Sequence, residues 1–187
     1  MGPSYRCHDG VEIPIRVTRE EGIICETLDV GGPPRLCFTD MAKAIYYRTE
    51  VTERTLFSRG FSKEYQYVEP DGYNREVDTT FIDEITERFH APWPSFTKAL
   101  FVNSYTGLYD VTLDWHPVGG RIDQVSGLIM CAGFSGHGFK IAPSIGEPMA
   151  EEVVDGTAHS IDIERFNLRR FERGGFSRRP TVPNGHK

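Results

Sequence analysis

No stretch of this sequence approaches the ~20 consecutive apolar residues that a membrane-crossing helix needs. Positive charge is not in excess either. The formal net charge is −6, which disfavours nucleic acid or an anionic membrane as partner. Cysteine is scarce: Cys7, Cys25, Cys37 and Cys131 are scattered, with no C-x-x-C spacing. That argues against a paired-cysteine metal site or a disulfide framework and leaves free thiols in a reducing cytoplasm as the expectation. The opening "MGPSYRCHDG" reads as neither signal nor transit peptide. Internal repeats, the dinucleotide fingerprint G-x-G-x-x-G and the P-loop are all missing.

What remains is a chain of 187 residues with ordinary globular composition, 39% hydrophobic and 26% charged. That length buries a real core. Residues 11–62 read as extended. Ile13, Ile15 and Val17 alternate with polar neighbours, "GIICETLD" looks like a return strand, and "DVGGPPRL" is a loop. "AIYYRTE" and "TLFSRGFS" add two strands, so an antiparallel sheet is expected. A turn at Pro70-Asp71-Gly72 precedes a helix near 79–90, capped by Asp78 or Thr79, with Phe81, Ile82, Ile85 and Phe89 on one face. "HAPWP" stops it, and "ALFVNSY" is a further strand. From Gly107 onward Val111, Leu113 and Trp115 alternate. "LIMCA" then reads as a strand covered on both faces, as in a parallel sheet. Ile141, Ile145, Met149 and Val153 recur at helical spacing, with Pro143 in the first turn and Pro148 as a kink. The basic end of the chain reads as a flexible tail.

The chemistry concentrates in "CAGFSGHGFKIAP", Cys131 to Pro143. A strand, a glycine-rich turn and a helix leave backbone N–H groups open at the helix start, and the helix dipole adds partial positive charge there. Glycine lets a ligand approach the backbone closely. Lys140 would add a full charge and His137 a titratable donor. Such a turn favours an anion or a group that becomes anionic, although glycine turns also serve close packing alone. Lysine is electrostatically unfavourable in a first helical turn, which tips the balance toward a negative partner.

Two stretches carry a resemblance. "GLYDVTLDWHPV" (107–118) and "GLIMCAGFSGHGFKIAPSIGEPMAEEVVDG" (127–156) resemble the C-terminal part of the D-amino-acid oxidase and sarcosine oxidase superfamily of FAD-dependent amine oxidoreductases. "DIERFNLRRF" (162–171) is similar to its closing segment, and 11–106 more loosely to its antiparallel substrate domain. The resemblance implies an α+β chain in three parts. Residues 1–106 would be a substrate domain of antiparallel sheet plus helix, 107–171 the C-terminal strand and helix of an α/β FAD-binding domain, and 172–187 a flexible tail. It implies FAD as cofactor, contacted by Gly107, Leu108, Gly133, Phe134, Ser135, Gly136, His137, Gly138, Phe139 and Lys140. Lys140 would assist oxygen activation and His137 would tune the flavin or touch substrate. Tyr47, Arg48 and Tyr109 are the implied substrate contacts.

Departures restrict the carry-over. Gly107 stands where some sarcosine oxidases bear a flavin-linked cysteine, so that covalent bond is ruled out. Tyr109 stands where several amino-acid oxidases place a carboxylate-binding arginine; Arg48 and Tyr47 could replace that contact. Leu113 replaces a motif proline. The family's N-terminal strand, G-x-G-x-x-G and helix have no counterpart, so a truncated or split enzyme completed by a separate FAD-binding chain is the expectation. A small amine or amino-acid-like molecule would be its substrate, with no nucleic acid and no membrane. A non-catalytic, flavoprotein-derived interaction module is the alternative. A metal hydrolase using Asp114, His116 and His137 is a weaker one, lacking any supporting ligand spacing.

Overall fold

The computed structural model describes residues 5–6, 10–26, 36–50, 54–61 and 63–172. In chain order it contains β1 (Tyr5–Arg6), β2 (Glu12–Ile13), β3 (Ile15–Glu26), β4 (Cys37–Asp40), β5 (Ile45–Thr49), β6 (Arg54–Arg59), β7 (Gln66–Tyr67), α1 (Thr79–His90), β8 (Leu100–Thr112), β9 (Val118–Arg121), β10 (Ile129–Ala132), α2 (Gly138–Val154) and α3 (Arg169–Glu172). Two compact units result. One comprises Arg19–Leu108; the other joins the residues up to Thr18 to those from Tyr109 onward.

In the Arg19–Leu108 unit the sheet runs β4-β5-β6-β3-β7, with β8 also paired to β3. Its antiparallel ladders place Phe38, Tyr47, Phe57 and Ile23 in one cross-strand row. α1 covers that row with Phe81, Ile85 and Phe89, each fully buried, and Phe96 completes the core. Burying a phenylalanine in this way contributes about 1.5–3 kcal/mol. The sequence periodicity therefore finds its helix, although Asp78 does not cap it with its side chain. That carboxylate is committed elsewhere: it accepts from Arg19 Nη1 at 3.0 Å and from Asn74 Nδ2 at 3.2 Å.

Arg19 has a side chain only 1% exposed, and it organises the polar stretch before α1. Its guanidinium also donates to Asn74 O, Gln66 Oε1 and Glu76 O. Glu21 lies between Arg19 Nη2 and Arg59 Nη1, each at 3.1 Å, and takes the Asp78 N–H. A buried charge is tolerated only when it is both paired and hydrogen-bonded, and these two are.

The other unit packs Val11, Ile13 and Ile15 against Val118, Ile122 and Leu168. This contact is why the first strands group with the C-terminal half and not, as the sequence suggested, with residues 19–106. β9 and β10 form an antiparallel hairpin in which Met130 faces Gly120. Asp114 anchors the end of the described chain: Arg170 donates Nε to Oδ2 at 2.8 Å and Nη2 to Oδ1 at 3.1 Å.

Several sequence expectations need correcting. β3 continues without a turn through "GIICE", because Ile23 and Cys25 keep their core alternation there. "LIMCA" is an antiparallel hairpin strand only partly buried, not a parallel strand covered on both faces. β8 takes in Val111, whereas Leu113 and Trp115 form a turn in which Trp115 has φ +66°. α2 starts at Gly138, so Pro143 falls in its second turn, inside the helix like Pro148. Cys25, Cys37 and Cys131 are free thiols, and burial pushes Cys25 up to about 11. Cys7, the "DVGGPPR" loop and the tail beyond Glu172 lie outside the described residues.

Burial pushes the Asp114 carboxyl up, but the Arg170 hydrogen bonds, the His116 amide and the Arg170 charge outweigh it and hold the group below its ordinary range. A depressed carboxylate stabilises the fold above its unfolded pKa and loses that contribution as pH falls through the folded value. Asp114→Asn should therefore lower the thermal midpoint at neutral pH, by an amount reflecting the loss of a buried pair worth about 3–5 kcal/mol to break. The variant should also flatten the acid limb of a stability-versus-pH series measured by circular dichroism.

Candidate functional site

The glycine turn joins β10 to α2, and its backbone is unusual. Gly133, Ser135 and Gly136 have φ of +70°, +52° and +77°, three left-handed residues within four positions. For a serine that conformation costs about 1–2 kcal/mol. It persists because Ser135, 1% exposed, is bonded on every side. Its N–H donates to Asp110 O at 3.0 Å, its Oγ accepts from Thr112 N at 3.2 Å, and the same Oγ donates to Gly133 O at 3.3 Å.

The glycines here are explained by this chain itself. A Cβ on Gly136 would enter the Tyr109 ring, and one on Gly133 would lie 2.5 Å from Thr112 Cγ2. At both positions the packing of this chain itself already excludes a side chain. Several amides of the turn are also already used: Gly133 N–H donates to Asp110 Oδ2 at 2.9 Å and His137 N–H to Phe134 O. The open donors narrow to the helix start. α2 has no side-chain cap, so Gly138, Phe139 and Lys140 present their amides without one. Lys140 is exposed and makes no ion pair with a described residue. Phe139 beside it is 97% exposed, while Nδ1 of His137 is buried.

Tyr109, expected as a substrate contact, instead spends its ring against Gly136. Tyr47 is corrected outright. It is 1% exposed and packs among Phe38, Phe57, Phe89 and Trp93 in the core. Arg48 points to the opposite face, as strand alternation requires. There Glu50 Oε1 accepts from its Nε at 3.0 Å and Nη2 at 2.6 Å. Gly107 has open space where a Cβ would project, and Leu108 is half-buried. Tyr47, Arg48, Gly107 and Leu108 belong to the Arg19–Leu108 unit; Tyr109 and the turn belong to the other.

Two residues on the Arg48 face escaped the sequence reading. Tyr46 shares that face by alternation from Tyr47, a signal legible in "AIYYRTE". Tyr105 was not legible. Its ring and Leu56 Cδ1 lie where a Cβ on Gly22 would stand, so Gly22 is the seat on which it rests. Burial pushes the Tyr105 phenol up and the nearby Arg48 charge pulls it down, with a net rise. As for a metal, no group of three possible ligands exists among the described residues, and Asp114 is already bonded to Arg170 through both oxygens.

The family model described as FAD dependent oxidoreductase matches residues 5–152. FAD-dependent oxidoreductase domain-containing protein 1 of Xenopus laevis is 36% identical over 105 residues, 55% of this chain and 21% of that protein. Monomeric sarcosine oxidase of Bacillus sp. (strain B-0618) is 32% identical over 104 residues, 54% of this chain and 27% of that protein. Among solved structures, L-proline dehydrogenase from P. horikoshii superposes with a TM-score of 0.75 at 26% identity, over 88% of this chain and 42% of that one. The chain thus spans about a fifth to a quarter of these curated relatives' length.

The two kinds of glycine in this region should behave oppositely on substitution. Gly136→Ala forces a Cβ into the Tyr109 ring at positive φ. It should cost at least the ~1 kcal/mol that a left-handed alanine loses to glycine, seen as a lower thermal midpoint. Gly146, inside α2 with open space around it, should tolerate alanine and gain about 0.5–1 kcal/mol of helix propensity.

Proposed function

The chain belongs to the FAD-dependent oxidoreductase family, and from that premise we propose that it forms the substrate- and flavin-facing part of an enzyme oxidising an amine or amino-acid-like molecule. FAD is the cofactor of that family. In this reading the strand, G-x-G-x-x-G and helix that hold the nucleotide lie outside these residues, and residues 107–171 complete the flavin site. The observation that carries it is the uncapped start of α2, held after a rigid turn.

The donor set fits the group. Amides, a helix dipole and a lysine offer only hydrogen-bond donation and positive charge. The pyrimidine edge of an isoalloxazine offers acceptors and becomes more negative on reduction. Bound FAD supplies the acceptor for the electron pair leaving the substrate's C–N carbon. The chain's residues do the rest. Gly138, Phe139 and Lys140 present donors preorganised where charge develops, an effect in which each donor is typically worth about 3 kcal/mol. With FAD bound, Lys140 would add a cation, His137 a proton donor or acceptor, and Phe139 an apolar surface that excludes water. Arg48 takes the substrate carboxylate with the guanidinium edge that Glu50 leaves open, with Tyr46 and Tyr105 on the same face.

Mixing the purified chain with FAD, and with a polypeptide carrying the dinucleotide-binding half of a family member, should give a yellow complex with a protein-bound flavin spectrum. A colourless chain in every mixture would overturn the proposal. In the yellow complex, Lys140→Met should slow reoxidation by oxygen far more than anaerobic reduction by substrate; stopped-flow traces showing equal slowing of both would remove the role given to Lys140. Arg48→Ala should raise KM about 10- to 100-fold, the worth of a hydrogen-bonded charge, with a smaller effect on kcat.

A further inference from the structure

The glycine turn does not hold its own shape. Its one internal backbone bond is His137 N–H to Phe134 O. The amides of Gly133 and Ser135 both end on one residue of β8. Asp110 takes the Gly133 N–H with its carboxylate, at 2.9 Å, and the Ser135 N–H with its carbonyl, at 3.0 Å. These are two of the three left-handed positions. The third, Gly136, is fixed by the Tyr109 ring, adjacent to Asp110 in sequence. The Asp110 side chain itself is exposed and makes no ion pair with a described residue. A solvated carboxylate bonded to a single buried amide is not what a core contact needs.

We propose that Asp110 is the positioning residue of the flavin-facing turn: its carboxylate locks Gly133 in the left-handed conformation that brings the amides of Gly138–Lys140 into register for a ligand. The residue acts through the turn and does not touch the reacting atoms. The inference rests on the flavin reading for what those amides meet, but the lock itself is a property of this chain.

The test uses the full chain, isotope-labelled, with backbone amides followed by NMR. Three substitutions separate the possibilities. Asp110→Ala removes the acceptor, Asp110→Asn keeps an oxygen acceptor without the charge, and Asp110→Glu keeps the charge but displaces the acceptor by one methylene. With Asp110→Ala, exchange at Gly133 and Ser135 should accelerate about tenfold, the loss of one net hydrogen bond. The resonances of Gly136 through Lys140 should move as well, well beyond the site of substitution. Asp110→Asn should restore both readouts to near wild type, and Asp110→Glu should not. Circular dichroism and thermal melting check that each variant is folded; if Asp110→Ala is not, the Asn and Glu pair decides alone. Unchanged exchange with Asp110→Ala overturns the proposal. So does rescue by Glu and not by Asn, which would assign the effect to charge alone. In the FAD mixture described above, Asp110→Ala should also shift the flavin absorption band and Asp110→Asn should leave it in place. If the wild-type mixture stays colourless, the flavin reading fails while the amide data still decide the lock.

Discussion

A turn with three left-handed residues in four positions is not stable in isolation, and everything assigned to the start of α2 depends on something holding it. The end of β8 does so. Tyr109, Asp110 and Thr112 meet Gly136, Gly133 and Ser135 through ring packing and hydrogen bonds. Thr112 is in turn bonded to Asp114 and His116. Asp114 is clasped by Arg170. A continuous chain of contacts therefore runs from the last described helix to the turn. Such a chain fixes donors in place before a ligand arrives, which is the condition under which donors contribute to catalysis.

The Arg19–Leu108 unit solves a related problem with charge. Its sheet has one apolar face under α1 and one polar face carrying Arg48, Tyr46 and Tyr105. The irregular stretch between β7 and α1 could drift away from both. Arg19 and Glu21 hold it, reaching Gln66, Asn74, Glu76 and Asp78 from a buried position on β3. The desolvation cost of two buried charges is offset only because every partner is present. The arrangement also diverts Asp78 from its expected duty as a cap.

The sequence was most legible where a single period decides the structure. The apolar face of α1 and the strand alternation around Tyr47 follow from 3.6- or 2-residue spacing. The misreadings arose where spacing is silent. β3 runs straight on where "GIICETLD" reads as a return strand, and its Gly22 is bare to seat Tyr105, which lies more than eighty residues away in sequence. Of the two adjacent tyrosines, alternation puts Tyr47 in the core under α1 and Tyr46 on the Arg48 face. Gly133 and Gly136 are glycine because Thr112 and Tyr109 leave no room for a Cβ, contacts that spacing does not announce. In the candidate site the residue types were visible, but the contacts that give them roles are long-range. Asp110 drew no attention at all, because an aspartate on a strand carries no local signature.

α2 shows what such long-range dependence leaves behind. It is a poor helix by propensity, with Gly138, Pro143, Gly146 and Pro148 along its length, so packing must stabilise it. Yet of its seventeen residues only Pro148 is buried. Ile141, Ile145 and Met149 are half-buried on one side. On the other, Phe139, Ala142, Gly146, Ala150 and Val153 form an exposed stripe of small and apolar residues, with Val154 at its end. Small side chains at four-residue spacing let a flat partner approach the helix backbone closely. The described residues leave this stripe uncovered. The stripe begins at Phe139, the residue next to Lys140 at the donor-bearing end. A polypeptide seated along it would cover the helix and close off the amides at its start in the same step. In the proposed reading, the nucleotide-binding part of the enzyme would bury the face that α2 most needs buried.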